Sequence, residues 1–342
     1  MLSASRLAVS ALCRQAVRIS PKTAGLLRTP QAQGHPMRQF MQQQRTNRLE
    51  KIIERRKTLK EMAMSPATDA PFNAGKGLLA GASLVGLGAL VYYGAGMSNG
   101  VGAIDKAYVW PQYVRDRVRD TYMYFGGSLV VTAASAAMVL RSPAMLRLMT
   151  RNSFLALAGT LAAMVGSSMV VHGIRYKPGF GAKQLAWMGH CGVIGAVIAP
   201  LYLLGGPLVL RAAVMTAGVL GGLSTVAACA PSDKFLLMGA PLGICFGVVF
   251  ASSMGTFFLP PTTALGAGLY SISLYGGLVL FSLFLLHDTQ RIIKKAETHP
   301  PPYYGGVVPY DPVNSSMSIY MDTINIFIRI LMILAGGGNR KK

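Results

Sequence analysis

Two apolar stretches near the carboxyl end, each interrupted by an aspartate, decide the fold. Residues 281–290 read FSLFLLHDTQ and residues 318–327 read SIYMDTINIF, which places Asp288 at the end of one apolar segment and Asp322 inside another. A charged side chain at the centre of a bilayer costs about 2.5–3.5 kcal/mol, so an intramembrane carboxylate is a candidate for function. The two stretches predict membrane helices that carry functional acids.

The composition of the 342-residue chain agrees with a membrane protein. It is 52% hydrophobic and only 13% charged, which excludes an ordinary soluble domain. Eight apolar blocks approach the roughly 20 residues that span a bilayer, with connections too short for a soluble catalytic domain. We therefore predict an all-α polytopic membrane protein with about eight spanning helices. The blocks cover 77–98, 121–140, 152–174, 184–205, 210–229, 235–257, 264–286 and 316–336.

The amino-terminal segment holds much of the net charge of +21. Residues 1–49 contain eight arginines or lysines and no acid, which is typical of a mitochondrial transit peptide, and they lack the apolar core of a secretory signal. A basic tail that binds nucleic acid or anionic lipid is the alternative, but the apolar chain favours import without nucleic-acid binding. We predict a transit peptide at 1–40, cleaved near Met41.

Residues 41–76 are polar and charged. Their charge spacing indicates a short helix, and Pro66 and Pro71 are expected to break it and form a linker. Basic residues in the later loops do not decide the orientation, whereas the amino-terminal segment favours a matrix-facing linker.

Other polar residues surround the two aspartates. Asn325 and Arg329 follow Asp322 by three and seven residues, which predicts a polar stripe on one helix. The rise over seven residues is about 10 Å, too far for an easy salt bridge. Arg329 then either reaches towards the membrane surface or faces the protein interior. Asp288 is either a solvated helix end or a functional acid.

Small residues recur every four positions in the sixth block. Gly239, Gly243, Gly247 and Gly255, together with Ala251, lie on one helical face. Such a stripe lets a neighbouring backbone approach closely, so we predict helix packing rather than a pore. His172 and His190 are expected to be hydrogen-bonded packing residues.

The sequence gives little support for an enzyme. No HExxH segment is present, and neither aspartate has the GxGD context of intramembrane aspartyl proteases. The four cysteines show neither a disulfide framework nor metal-site spacing. We expect no catalytic residues and no resident cofactor.

The two aspartate stretches resemble the transmembrane Bax inhibitor motif family. The resemblance extends through residues 115–338 and includes RVRDTY at 117–122 and GAVIAPL at 195–201. It implies a seven-helix fold in which six helices surround the carboxyl-terminal one. Here an extra helix at 77–98 precedes that domain and a basic tail at 339–342 follows it. Together with the predicted transit peptide, the resemblance implies a multi-pass protein of the mitochondrial inner membrane.

The resemblance also implies a function. In the family two aspartates form a pH-sensing pair that governs calcium passage, and Asp288 and Asp322 match them. An arginine near the end of the second family helix holds the closed pair, for which Arg175 is the nearest candidate. His287 stands where relatives commonly have tyrosine. Two carboxylates at low dielectric share a proton and also provide the oxygen ligands that calcium prefers, so we expect calcium and protons to be transported.

A scaffold is the alternative function. The family's link to apoptosis suggests an organiser of cristae or of partners such as respiratory components, cytochrome c or a matrix AAA protease. The sequence does not show whether Asp288 and Asp322 are in contact, since they are 34 residues apart.

Overall fold

The structure is a computed structural model that describes residue 44 and residues 59–98, 100–149, 154–231, 233–301 and 308–338. The chain divides into two compact units, 1–58 and 59–342, and the second is described below. The predicted transit peptide, its cleavage point near Met41, most of residues 41–58 and the tail 339–342 lie outside the described residues.

The described residues form helices and no strand. The longest are α2, α4, α8 and α12, and the connections contain two 3-10 segments, Ala199–Leu204 and Leu236–Met238. A π-helical turn, Ile272–Gly276, joins α10 to α11. The helices are α1 (Leu59–Met64), α2 (Ala70–Gly94), α3 (Ala103–Ala107), α4 (Gln112–Arg141), α5 (Pro143–Met149), α6 (Phe154–Gly173), α7 (Ala182–Ile198), α8 (Gly206–Cys229), α9 (Gly239–Phe258), α10 (Ala264–Ser271), α11 (Gly277–Thr298) and α12 (Pro312–Gly338).

Each predicted apolar block contains a long helix, and the all-α polytopic membrane architecture is confirmed. Seven segments of the described chain are long and apolar enough to cross a membrane: 70–94, 112–141, 182–204, 206–229, 236–258, 264–298 and 312–336. The predicted block 152–174 forms the 20-residue helix α6, which is not among those seven.

Several helices extend beyond the apolar blocks. Helix α2 starts at Ala70 rather than at 77. Pro71 was predicted to break a helix, but it occupies the first turn of α2, where the missing N–H group has no intrahelical partner to lose. Helix α4 starts nine residues before the predicted block, and α11 continues to Thr298. Hydropathy does not detect these polar helical extensions.

The carboxyl-terminal helix lies in the interior of the second unit. Helix α12 packs against α4, α8 and α11. In its most apolar window 44% of the residues are buried inside the protein, whereas the corresponding figure for α2 is 6%. Helix α2 therefore lies at the periphery, where it contacts α8, α10 and the π-helical turn.

Helices α4 and α7 are joined by buried hydrogen bonds. Trp187 Nε1 donates to Ser128 Oγ at 2.8 Å, and Ser135 Oγ donates to the carbonyl of Gly192 at 2.7 Å. Gly195 permits this close approach, because a Cβ atom there would collide with the Thr132 carbonyl oxygen. Helix α4 of this pair in turn packs against α12.

Candidate functional site

Helices α11 and α12 form an antiparallel pair whose register places Asp288 opposite Asp322. Lys295, seven residues after Asp288, donates to Ser315, seven residues before Asp322, at 3.0 Å. Arg329, seven residues after Asp322, lies 4.5 Å from the ring centre of Phe281, seven residues before Asp288. The two aspartates thus lie about 10 Å from each of these flanking contacts.

Both aspartates are buried, each with 6% of its surface exposed. Their carboxylates are close enough to interact electrostatically, and Asp322 Oδ2 has no hydrogen-bond partner among the described residues. Two ionised carboxylates in a medium of low dielectric repel each other, and a proton or a cation between them offsets that repulsion. The arrangement is chemically suited to exchange one for the other.

His287 contacts one member of the pair. Its Nδ1 atom lies 2.8 Å from Asp288 Oδ1, at a hydrogen-bonding distance. The ring occupies space beside Gly239, where a Cβ atom would lie 3.2 Å from Nε2. Gly239 therefore makes room for the imidazole at the start of α9.

The predicted glycine stripe is only partly a packing face. Gly255 lies against Leu269, in addition to the contact of Gly239 with His287. A Cβ atom on Gly243 or Gly247 would have no neighbour within 4 Å. The prediction of helix packing is wrong for these two, because no other described helix reaches the middle of this face.

The stripe residues Asn325 and Arg329 face the protein interior and do not contact Asp322. Arg329 Nη1 donates to Asn325 Oδ1 at 2.9 Å, and its Nε donates to the Ser273 carbonyl at 3.2 Å. Ser273 lies in the π-helical turn, where the altered hydrogen-bond pattern leaves carbonyl groups available. Arg329 forms no ion pair with any described acid.

The prediction that Arg175 holds the aspartates is wrong. Arg175 is exposed in the connection after α6 and contacts neither carboxylate. Eight residues later in the chain, the Lys183 side chain is buried. Its Nζ donates to Asp311 Oδ2 at 2.6 Å and to Asn314 Oδ1 at 2.9 Å. Sequence reasoning gave Lys183 no role because it directly precedes the predicted apolar block 184–205.

Two further residues that sequence reasoning gave no role connect α11 and the segment after it to other parts of the unit. The Arg117 guanidinium donates to the carbonyls of Ala296, His299 and Pro300 at 2.6–3.0 Å. Gln290 donates to the Pro231 carbonyl at 2.9 Å. Both lie in the family-like stretches, RVRDTY and FSLFLLHDTQ, which was the available signal.

Charged and aromatic groups also meet where the connections join the membrane-spanning segments. A hydrogen bond to Tyr93 raises the pKa of Lys234. Burial, assisted by the nearby Tyr124, raises the pKa of Tyr176 to about 12. Asp233 forms an exposed ion pair with Lys294 at 3.1 Å. These contacts lie away from the aspartate pair.

The two histidines differ. His190 is buried and its Nδ1 lies 2.8 Å from Ser167 Oγ, which is consistent with a packing role. His172 is exposed and contacts the Ser168 carbonyl. Among the described residues no group of three or more His, Cys, Asp or Glu side chains could hold a metal ion.

Comparisons with known proteins agree with the geometry. The family described as inhibitor of apoptosis-promoting Bax1 (Bax1-I) matches residues 114–340. The chain is 58% identical to the growth hormone-inducible transmembrane protein of Rattus norvegicus over 83% of this chain and 82% of that protein. It is 27% identical to an uncharacterized protein of Helicobacter pylori J99 over 66% of this chain and 88% of that one. Bax inhibitor 1 of Homo sapiens is 30% identical over 32% of this chain and 40% of its own length. No solved structure matches the chain.

Proposed function

The chain belongs to the Bax1-I family, and from that membership and the buried aspartates we propose that it exchanges calcium ions for protons across the membrane. Asp288 and Asp322 form the shared site in this proposal. The single observation that carries it is the register of α11 and α12, which sets two buried carboxylates opposite each other.

Calcium and protons compete for this pair because both bind carboxylate oxygens. Calcium is a hard cation that prefers six to eight oxygen ligands, and two carboxylates supply both charge and ligand atoms. Protonation removes that charge and releases the cation. A proton gradient across the membrane would then drive calcium in the opposite direction.

Exchange also offers an energetic advantage over a simple calcium pathway. An uncompensated calcium ion that crosses the membrane is driven or opposed by about 4.6 kcal/mol per 100 mV. If two protons move in return for each calcium ion, no net charge moves and the membrane potential does no work on the cycle.

The transport activity is tested with purified full-length protein in liposomes that contain a calcium dye. We expect a pH step to drive calcium flux, and we expect Asp288→Asn and Asp322→Asn each to reduce it to the level of empty liposomes. Asp233→Asn is the matched control, since it removes an exposed carboxylate that lies outside the spanning segments.

Unchanged flux in both membrane variants would refute the assignment of the site. If the wild-type protein itself carries no calcium while its deletion alters cristae, the scaffold role is favoured, with a matrix AAA protease, respiratory components or cytochrome c as partners to examine. The description of the family names apoptosis, and this is the observation that connects the scaffold role to apoptosis.

We place the protein in the mitochondrial inner membrane because of the acid-free basic residues 1–49. Import into isolated mitochondria is expected to shorten the chain at its amino terminus. Sequencing of the mature terminus checks the predicted start near Met41, and an uncleaved chain that stays outside would contradict this location.

A further inference from the structure

A second candidate site is a cavity of about 430 Å³ between α4, the segment Ala199–Leu204, α8 and α12. Its volume lies in the range of roughly 300–1,000 Å³ that is usual for small-molecule sites. Five alanines of the spanning helices α4 and α8 line it, and their small side chains leave the space unfilled. They are Ala133, Ala136, Ala137, Ala213 and Ala217.

The inner end of the cavity is unsuited to water or ions. Three hydroxyl groups line this end, those of Thr132, Thr216 and Thr323, and each already forms a hydrogen bond within the protein. Thr132 bonds the Tyr320 hydroxyl at 2.6 Å, while Thr216 and Thr323 each donate to a carbonyl one turn earlier at 2.7 Å. A buried water needs two to four polar partners, so an apolar occupant fits this space better.

The outer end of the cavity lies near the ends of three candidate membrane spans, 112–141, 182–204 and 206–229. Leu140, Tyr202 and Val209 line this end. Arg141 directly follows Leu140, and Arg211 lies two residues after Val209. Both arginines are exposed and neither forms an ion pair with a described acid, so two positive charges lie within two residues of the lining at this end.

We propose that this cavity binds one acyl chain of an anionic phospholipid, with the phosphate near Arg141 and Arg211. An empty apolar cavity would forfeit the dispersion contacts of its lining, and the surrounding bilayer provides alkyl chains that restore them. The two arginines select the charge of the headgroup. This binding is independent of calcium transport by the aspartate pair.

The proposal is tested by photo-crosslinking in vesicles that contain the full-length protein. The probe is a phosphatidylglycerol with a diazirine on one acyl chain, and labelled residues are mapped by mass spectrometry. We expect labelling at 133–137 and 213–217 to exceed labelling on the exposed helix α2. Ala136→Leu and Ala217→Leu, which fill the cavity, should each reduce it severalfold.

Ala134→Leu is the matched control, because Ala134 is exposed on the same helix but does not line the cavity. Thermal unfolding identifies the variants that are folded; a filling variant that does not fold is replaced by Ala133→Leu or Ala213→Leu, which fill the same cavity. If both folded variants label like wild type at 133–137 and 213–217, the cavity does not hold the chain and the proposal fails.

The headgroup is tested separately. Arg141→Gln and Arg211→Gln should each weaken labelling about fivefold, whereas Lys76→Gln, an exposed charge on α2, should not. Equal labelling by the matching phosphatidylcholine probe would overturn the assignment to an anionic lipid. Stronger labelling by a diazirine fatty acid would assign the cavity to a free fatty acid and would also overturn it.

Discussion

Arg329 is a cation held by neutral groups. Its guanidinium is satisfied by two carbonyls, an amide oxygen and the face of Phe281, and not by an acid of the described chain. Its positive charge therefore remains uncompensated about two helical turns from Asp322.

Gly277 makes the position of Arg329 possible. A Cβ atom on Gly277 would collide with Arg329 Nε, so Gly277→Ala should displace the arginine and destabilise the protein by about 1–3 kcal/mol. A Cβ atom on Gly268 would have no neighbour within 4 Å, so Gly268→Ala should be neutral or stabilising, since alanine favours a helix. Thermal unfolding of the purified variants measures the difference, and equal stability would contradict this view of Arg329.

The sequence identified the two aspartates but not their surroundings. Their apolar context singled them out, whereas the facing register depends on the residues that connect α11 and α12. Arg175 was assigned by its position in the chain, and the structure instead buries Lys183 against Asp311. The partners of Arg329 depend on a π-helical turn for which hydropathy gives no signal.

Helix α2 lies outside the family match, which begins at residue 114. It is nevertheless fastened to the family domain through α10 and the π-helical turn. The Ser271 hydroxyl donates to the Pro71 carbonyl at 2.6 Å, and Phe72 contacts Tyr270 with 6.2 Å between ring centres. The extra helix thus supports the part of the chain that holds Arg329.

Gly75 lies where α2 approaches α10 and the π-helical turn most tightly. A side chain there would collide with Tyr275 and Ser271, so Gly75→Val should separate the start of α2 from the domain. The expected cost is about 1–3 kcal/mol, and amide exchange across residues 70–80 should accelerate. Gly81→Val, which faces open space, should change neither. Hydrogen-exchange mass spectrometry makes the comparison, and equal protection in both variants would refute it.

The existence of the helices was predictable and their ends were not. Apolar blocks indicate which residues can cross the hydrocarbon, since the cost of a charge there is large. Outside the hydrocarbon the helices continue through polar residues that hydropathy does not mark. Helix α4 begins in charged residues, and α11 runs to Thr298, where Arg117 binds the Ala296 carbonyl and two carbonyls just after the helix.

In the whole second unit, one buried ion pair connects distant parts of the chain. Lys183 at the start of α7 bonds Asp311 before α12, and the lysine side chain is 1% exposed. A buried charge that loses its partner is strongly destabilising, whereas replacement of both charges is often neutral.

A double-mutant cycle tests this link. Lys183→Met and Asp311→Asn should each lower the free energy of unfolding. The larger loss, about 3–5 kcal/mol, is expected for Asp311→Asn, because it leaves the more buried charge, that of Lys183, without its partner. The double variant should recover part of that loss, because neither charge then remains unpaired. Chemical unfolding in detergent measures all four proteins, and strictly additive effects would show that the pair does not couple the two helices.

The π-helical turn also fixes the rotational phase between α10 and α11. Relative to a continuous α-helix it contains one additional residue, which is worth about 100° of rotation about the helix axis. A deletion of one residue within 272–276 would remove that offset. The chain could then keep α10 against α2, or α11 in register with α12, but not both, so the length of this turn is as constrained as the identity of the aspartates.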